Sequence, residues 1–462
     1  MTKQVQLPHD WKWVKLGEVC EIVSGNTPKG LEFISNTGEY QFYKISDMNL
    51  VGNEIKMNFS NLKLTTEEIK KLKIKVYPKG TVIFPKRGGA ILTNKKRVLS
   101  KEASFDLNVM GILPNSNISS NYLFYWIQKL DLRKIYDGSN VPQINNKNIA
   151  PLEFPLPSNA IQLTIVSKIE ELFSELDKGI ENIRTAQQQL KTYRQAVLKW
   201  AFEGKLTGEW RERQKKLPDS KKLLKQIQIE KESSSNLTGK KLKSLTEITE
   251  LERLNLPRLP DKWTWVKLGD NAFVTKLAGF EFTKYVNYKQ IGDIPVIRAQ
   301  NVSKTNFVPR NFLYVDRNIM EKLPRSRVYG GEILMVFVGA GLGNVGIVPE
   351  NYEYFLGPNV AKIALEKQFN NKYIFHFLTS QLGFKNVTGM SKATAQGSIS
   401  MGNIREVSVP LISFEEQNKI VQEIESRLSI ADKMDENITQ SLQQAEALRQ
   451  SILKKAFEGK LI

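Results

Sequence analysis

Leu7-Pro8-His9-Asp10-Trp11-Lys12-Trp13-Val14-Lys15-Leu16-Gly17 returns far down the chain as Leu259-Pro260-Asp261-Lys262-Trp263-Thr264-Trp265-Val266-Lys267-Leu268-Gly269. Chance does not place two Trp-x-Trp-Val-Lys-Leu-Gly strings in one chain. An internal duplication is therefore the first fact about the fold, and it precedes the assignment of single elements.

A second anchor fixes the length of the repeat. Lys199-Trp200-Ala201-Phe202-Glu203-Gly204-Lys205-Leu206 returns at the C-terminal end as Lys454-Lys455-Ala456-Phe457-Glu458-Gly459-Lys460-Leu461, so the duplication spans nearly the whole chain. Between the anchors only traces remain, such as Tyr122-Leu123-Phe124-Tyr125-Trp126-Ile127 against Tyr373-Ile374-Phe375-His376-Phe377-Leu378. Constant ends enclose divergent middles.

Each copy changes period once. Residues 1–157 and 259–412 carry short β-rich runs punctuated by Gly, Pro and Asn, plus one aromatic helix each, which predicts two α+β globules. After Pro157 and after Leu411 the apolar residues fall at helical spacing: Ile165, Ile169, Leu172, Leu176, Ile180, Ile183, Leu190 and Val197, then Ile420, Ile424, Leu428, Ala431, Met434, Ile438, Leu442, Ala445, Leu448 and Ile452. These seams predict long helices over 158–205 and 413–462, the first running roughly 60 Å at the rise of an α-helix. Gly204 and Gly459 stand where helix-ending glycines belong. A seam so long and narrow points to the other copy's helix as partner rather than to the helix's own globule; two independent helices on domain surfaces are the alternative. Residues 206–258 are charged, with Ser233-Ser234-Ser235-Asn236 in the middle and prolines at the end, and are expected to form an exposed linker with a short helix near 223–231.

Composition narrows the partner. With 67 Lys+Arg against 48 Asp+Glu the formal charge of this 462-residue chain is +19, which attracts polyanions, nucleic acid first. An anionic membrane competes, but no apolar run approaches the ~20 residues a spanning helix needs and no signal-peptide pattern opens the chain, so a cytoplasmic location is expected. One cysteine, Cys20, and two histidines cannot build a zinc site or a disulfide framework and make Cys–His or Ser–His catalysis hard to assemble, and Cys20 is expected to be a small buried apolar residue.

Catalytic patterns are weak or absent. Gly341-Leu342-Gly343-Asn344-Val345-Gly346 matches G-x-G-x-x-G, but a β-like segment ending at Pro349 follows instead of a helix, so a hairpin or a loop approaching DNA is expected rather than a cofactor cradle. No Asn/Asp-Pro-Pro-aromatic string marks an amino-methylating site, and Pro218-Asp219-Ser220-Lys221 lacks a strand to hold a nuclease metal.

What remains is recognition. Polar and basic residues cluster on predicted loops at corresponding places in both copies. The candidates for DNA contact are Asn26, Thr27, Lys29, Lys44, Ser46, Lys86, Arg87, Asn140 and Gln143 in the first, and Lys276, Arg298, Gln300, Asn301, Asn344, Lys392 and Gln396 in the second. Arg and Lys reach guanine edges or phosphates, and Asn and Gln pair with adenine.

Two divergent globules, each opened by Trp-x-Trp-Val-Lys-Leu-Gly and followed by a helix ending in Ala-Phe-Glu-Gly-Lys-Leu, resemble the specificity (S) subunit of type I restriction-modification systems over essentially the whole chain. The resemblance implies two α+β target recognition domains that read the halves of a bipartite double-stranded DNA site. It implies an antiparallel coiled coil with pseudo-two-fold symmetry that spaces them. It also implies two docked modification subunits that bind S-adenosylmethionine and methylate adenine, and restriction subunits that use ATP and Mg. The chain itself would hold no cofactor and catalyse nothing. Phe202, Lys205, Phe457 and Lys460, in identical strings expected at exposed helix ends, are the candidates for partner docking; capping of the helix pair is the alternative. A stand-alone architectural DNA-binding protein is the competing function, while a fused restriction enzyme should carry the missing catalytic motifs.

Overall fold

The computed structural model describes residues 6–238, 245–350, 352–389 and 397–462. The chain divides into two compact units, one formed by Met1–Thr185 with Ile438–Ile462 and the other by Ala186–Asn437. Each unit therefore takes its globule from one copy of the repeat and a stretch of long helix from both.

The reason lies in how the two anchors meet. The first long helix, Asn159–Phe202, and the C-terminal one, Phe414–Phe457, have 44 residues each. Both end in the same pair of hydrogen bonds: Gly204 N–H donates to the Ala201 carbonyl and Lys205 N–H to that of Trp200, as Gly459 does to Ala456 and Lys460 to Lys455. That pattern needs a left-handed residue after the helix, and Gly204 and Gly459 have φ of 73° and 70°. A Cβ on Gly204 would lie 2.4 Å from Pro260, and one on Gly459 2.3 Å from Pro8. The helix end of each copy thus seats against the Leu-Pro turn that opens the other copy's globule. The two repeated strings are constant because they fit each other.

Further duplicated contacts frame each globule. In the first unit the strand Lys12–Lys15 pairs antiparallel with Glu153–Leu156; in the second Thr264–Lys267 pairs with Ser408–Leu411. Tyr122 donates its hydroxyl to the Pro155 carbonyl at 2.9 Å and Tyr373 to Pro410 at 3.1 Å. Gln162 accepts from Ser119 N–H and donates to the Asn117 and Pro157 carbonyls. Gln417 does the same with Asn370, Gln368 and Ile412. Both amides are buried with their hydrogen-bonding capacity met, which rigidifies the helix entry.

Within the frame each globule holds two sheets. In the first unit they run in spatial order Cys20–Ser24, Val109–Pro114, Val82–Pro85, Arg97–Leu99, Lys56–Met57, and Leu62–Leu64, Tyr40–Tyr43, Ala103–Phe105. In the second they run Ala272–Lys276, Val360–Leu365, Ile333–Val336, Val345–Ile347, and Leu313–Val315, Ile294–Ile297, Glu353–Leu356, Arg327–Tyr329. A parallel pair recurs in each smaller sheet, Tyr40–Tyr43 with Ala103–Phe105 and Ile294–Ile297 with Glu353–Leu356. The aromatic helices are Ser120–Lys129 and Asn371–Thr379. The expected α+β class holds.

Two expectations need correction. The helices do bury against globules: Ile165, Ile169 and Phe173 join Tyr122 and Phe154 in the first core, along with Ile452 and Phe457, while Val197 and Phe202 join Ile420, Ile424 and Tyr373 in the second. The seam serves a globule at its ends and the neighbouring helix between them. There Arg194 pairs with Asp432 and donates to the Ala431 carbonyl, Gln187 reaches Asp435, and Arg449 pairs with Asp177 while lying 4.4 Å above the Phe173 ring. Nor is 206–258 simply an exposed linker. It contains helices Gly208–Arg213, Ser220–Thr238 and Glu250–Asn255, and Ile227 is buried in the second core. Arg211 and Thr207 bind the Glu416 carboxylate at 2.7 and 2.8 Å, and the Trp263 indole donates to its other oxygen at 3.0 Å. Among the described residues no helix is long and apolar enough to cross a membrane.

Candidate nucleic-acid interface

In the first unit the loops at one end of the strands converge. Gly25 N–H donates to the Val109 carbonyl and Asn26 N–H to Phe105, where a Cβ on Gly25 would lie 2.0 Å from the Asp106 carbonyl oxygen. Thr27 accepts from Leu107 N–H at 3.1 Å. Lys86 N–H donates to Asn108 O, Ile144 N–H donates back to Lys86 O, and Arg87 bridges Gln143. The Lys86 ammonium donates to the Ser24 hydroxyl at 2.9 Å. Desolvation and the neighbouring Arg87 charge lower its pKa, so an added anion would be welcome there. The Asp137 carboxylate, held below its ordinary range by hydrogen bonds from Ser139 and Gln143, ties the 137–143 loop that carries Asn140. Asn26, Thr27, Lys29, Lys44, Ser46, Arg87 and Asn140 are exposed, and Lys86 and Gln143 half-buried. Except for Lys29, Ser46 and Asn140, these bonds tie the first-copy candidates or their strands into one face, with Lys44 beside Asp106.

Asp47, passed over in the sequence, organises this face. It is buried, caps Lys44 N–H at 2.7 Å and accepts from Asn61 at 2.6 Å. The sequence carries no signal for it, because the capping pattern that would reveal such an acid starts with Ser, Thr, Asp or Asn, and Lys44 stands at that position.

The second unit repeats the scaffold with other side chains. Phe337 N–H donates to Asn359 O and Ile399 N–H to Phe337 O, the bonds made by Lys86 in the first. Val338 bridges Ser398 where Arg87 bridges Gln143. Asn301 takes the place of Asp47: fully buried, it accepts from Arg298 N–H and donates to the Val308 and Arg310 carbonyls. Its amide is used up internally, so Asn301 is removed from the DNA-contacting candidates. Arg298 and Gln300 both donate to the Asn311 carbonyl at 3.0 Å; Gln300 and Lys276 are exposed, Arg298 and Asn344 half-buried. Asn344 lies on the turn between the antiparallel strands Ile333–Val336 and Val345–Ile347, so the Gly-rich segment is a hairpin as expected. Lys392 and Gln396 fall outside the described residues. Phe33 and Phe280, exposed aromatics in corresponding connections, were also passed over, since single apolar residues in polar loops carry no periodic signal.

The docking candidates separate by type. Phe202 is 2% exposed and packs on Tyr373 and Phe377; Phe457 is fully buried against Tyr122. Their expected exposure is therefore corrected, because each ring fills the core of the globule its helix seats on. Lys205 and Lys460 stay exposed, each paired with the preceding glutamate at 2.7 and 2.8 Å. Cys20 is buried as expected, and desolvation pushes its thiol up to about 12.

A duplicated frame carrying two divergent loop faces is matched by a known family. The model described as "Type I restriction modification DNA specificity domain" covers residues 8–185 and 260–447. The chain belongs to that family. Among its relatives, the Escherichia coli type I restriction enzyme EcoDI specificity subunit is 22% identical over 99% of this chain and 90% of its own length. The EcoKI specificity subunit of E. coli K12 is 24% identical with the same coverage. In fold, the chain resembles a protein from a study of assembly and conformational transition of the type I R-M system (TM-score 0.67, 17% identity, 99% of this chain and 100% of that one). It also resembles the HsdS subunit from Thermoanaerobacter tengcongensis (TM-score 0.55, 18% identity, all of both chains). The type I specificity family thus accounts for both copies.

Proposed function

We propose that this chain is the DNA-reading component of a type I restriction-modification complex, in which each globule contacts one half of a bipartite site through its loop face. The observation that carries this reading is the contrast within one fold. The helix seats, the Tyr–Pro bonds and the Gln clamps repeat, while the side chains on the loop face do not. A protein that serves two equal partner copies and two unequal half-sites needs that division. The long helices set the gap between half-sites, Lys205 and Lys460 contribute to docking of modification subunits, and adenine methylation and cleavage belong to those partners and the restriction subunits.

The test is methylation-sensitive sequencing of DNA modified by the reconstituted complex. The expected result is two short specific blocks separated by a fixed unspecified gap. A single contiguous palindrome would overturn the two-reader assignment. Affinity should also fall steeply with salt, reflecting the phosphate contribution.

A further inference from the structure

The Lys86 ammonium rests on Ser24 in the first globule; in the second, the Lys276 ammonium lies 4.9 Å above the Phe337 ring. Strand register makes these the same two positions, with the lysine on one member in the first globule and on the other in the second. Ser24 pairs with Met110, which also pairs with Phe84, two residues before Lys86. Lys276 pairs with Ala361, which also pairs with Met335, two residues before Phe337. Lys86 and Phe337 share the backbone bonds to Asn108 or Asn359 and to Ile144 or Ile399. Thus one globule supplies the lysine from the inner strand end and the other from the edge strand, and both bring an ammonium to the same place.

We infer that Lys86 and Lys276 form one equivalent phosphate-binding point in the two globules, contacting the DNA backbone without reading sequence. The inference rests on the DNA-reading assignment and says which contact is common to both half-sites. A base contact depends on the direction from which a side chain arrives, because donors must meet a fixed pattern of groove atoms. A phosphate asks only for a positive charge at a point, which lysine supplies from either strand. Around this point the neighbours diverge, Arg87 and Gln143 facing Val338 and Ser398 as counterparts, as expected where different sequences are read.

The experiment measures binding of the full chain to a mixed-sequence DNA duplex across a salt series. Lys86→Ala and Lys276→Ala should each weaken binding several-fold and each reduce the slope of log affinity against log salt by roughly 1. The double variant Ser24→Lys/Lys86→Phe, which builds the second globule's arrangement into the first, should restore the wild-type slope. The motif methylated by a complex carrying Lys86→Ala should be unchanged. An unaltered slope in both alanine variants, failure of the exchange variant to rescue, or a base of the motif turning degenerate would each overturn the inference while leaving the DNA-reading assignment intact. A wild-type chain indifferent to DNA would overturn that assignment itself, and the inference with it.

Discussion

At the helix ends the two copies share both backbone bonds and side chains; at the strand ends carrying Lys86 and Phe337 they share the backbone bonds and almost none of the side chains. The difference separates two kinds of constraint. A helix end that must seat on the opposite globule keeps its Ala-Phe-Glu-Gly-Lys-Leu string, because glycine, phenylalanine and the facing proline are fitted parts. A loop face held by main-chain bonds is free to change its side chains without losing its shape.

The largest effect should come from the fitted parts. Phe457→Ala removes a fully buried ring from the first core and Phe202→Ala its counterpart from the second. Each should cost about 3–5 kcal/mol, the range for truncating buried aromatics. Urea unfolding followed by hydrogen exchange should show the loss of protection confined to residues 6–185 with 438–462 for the first variant and to 186–437 for the second. Loss in the opposite unit would break the crossed assignment of helix ends to globules. If stability is unchanged and only co-purification with a modification subunit is lost, the rings dock a partner after all.

How much of this was legible in sequence follows from the same contrast. The anchors, the switch to helical period near residue 158 and the terminal glycines are local signals, and the helix found at Asn159–Phe202 meets them closely. That Gly204 seats on Pro260 and Gly459 on Pro8 was not readable, because an apolar seam states that a face is covered and not by what. The pairing of half-buried Arg211 escaped for a similar reason: its buried partner Glu416 lies 205 residues away, and in a charged stretch nothing distinguishes a paired arginine from a solvated one.

That pair also sets a limit on the symmetry. Glu416 immediately precedes Gln417, and the residue before the equivalent Gln162 is Ile161, so the first copy has no such carboxylate. Glu416→Ala leaves the Arg211 guanidinium and the Trp263 indole N–H without their buried acceptor. The expected cost is about 3 kcal/mol, at the lower end for breaking a buried pair since Arg211 keeps its bond to the Gly204 carbonyl. Ile161→Ala, at a half-buried apolar position, should cost less than half as much. Equal losses in chemical denaturation would mean that the frame is symmetric in energy despite its different chemistry.

The smallest effect divides two neighbours. Asn301→Ala removes three internal hydrogen bonds from a fully buried amide and should destabilise the second unit by about 1–3 kcal/mol. Gln300→Ala, one residue away and exposed, gives up a single bond to the Asn311 carbonyl and should stay within about 0.5 kcal/mol of wild type. In DNA terms the order reverses. With thermal stability matched by temperature, Gln300→Ala should alter the bases accepted in one half of the methylated motif, whereas Asn301→Ala should lower modification of the whole motif without changing its sequence. If Asn301→Ala shifts the sequence while Gln300→Ala leaves it untouched, the buried amide reaches DNA by a rearrangement of the 298–301 turn, and the separation of a fixed backbone scaffold from a variable reading face fails at the point where the two lie side by side.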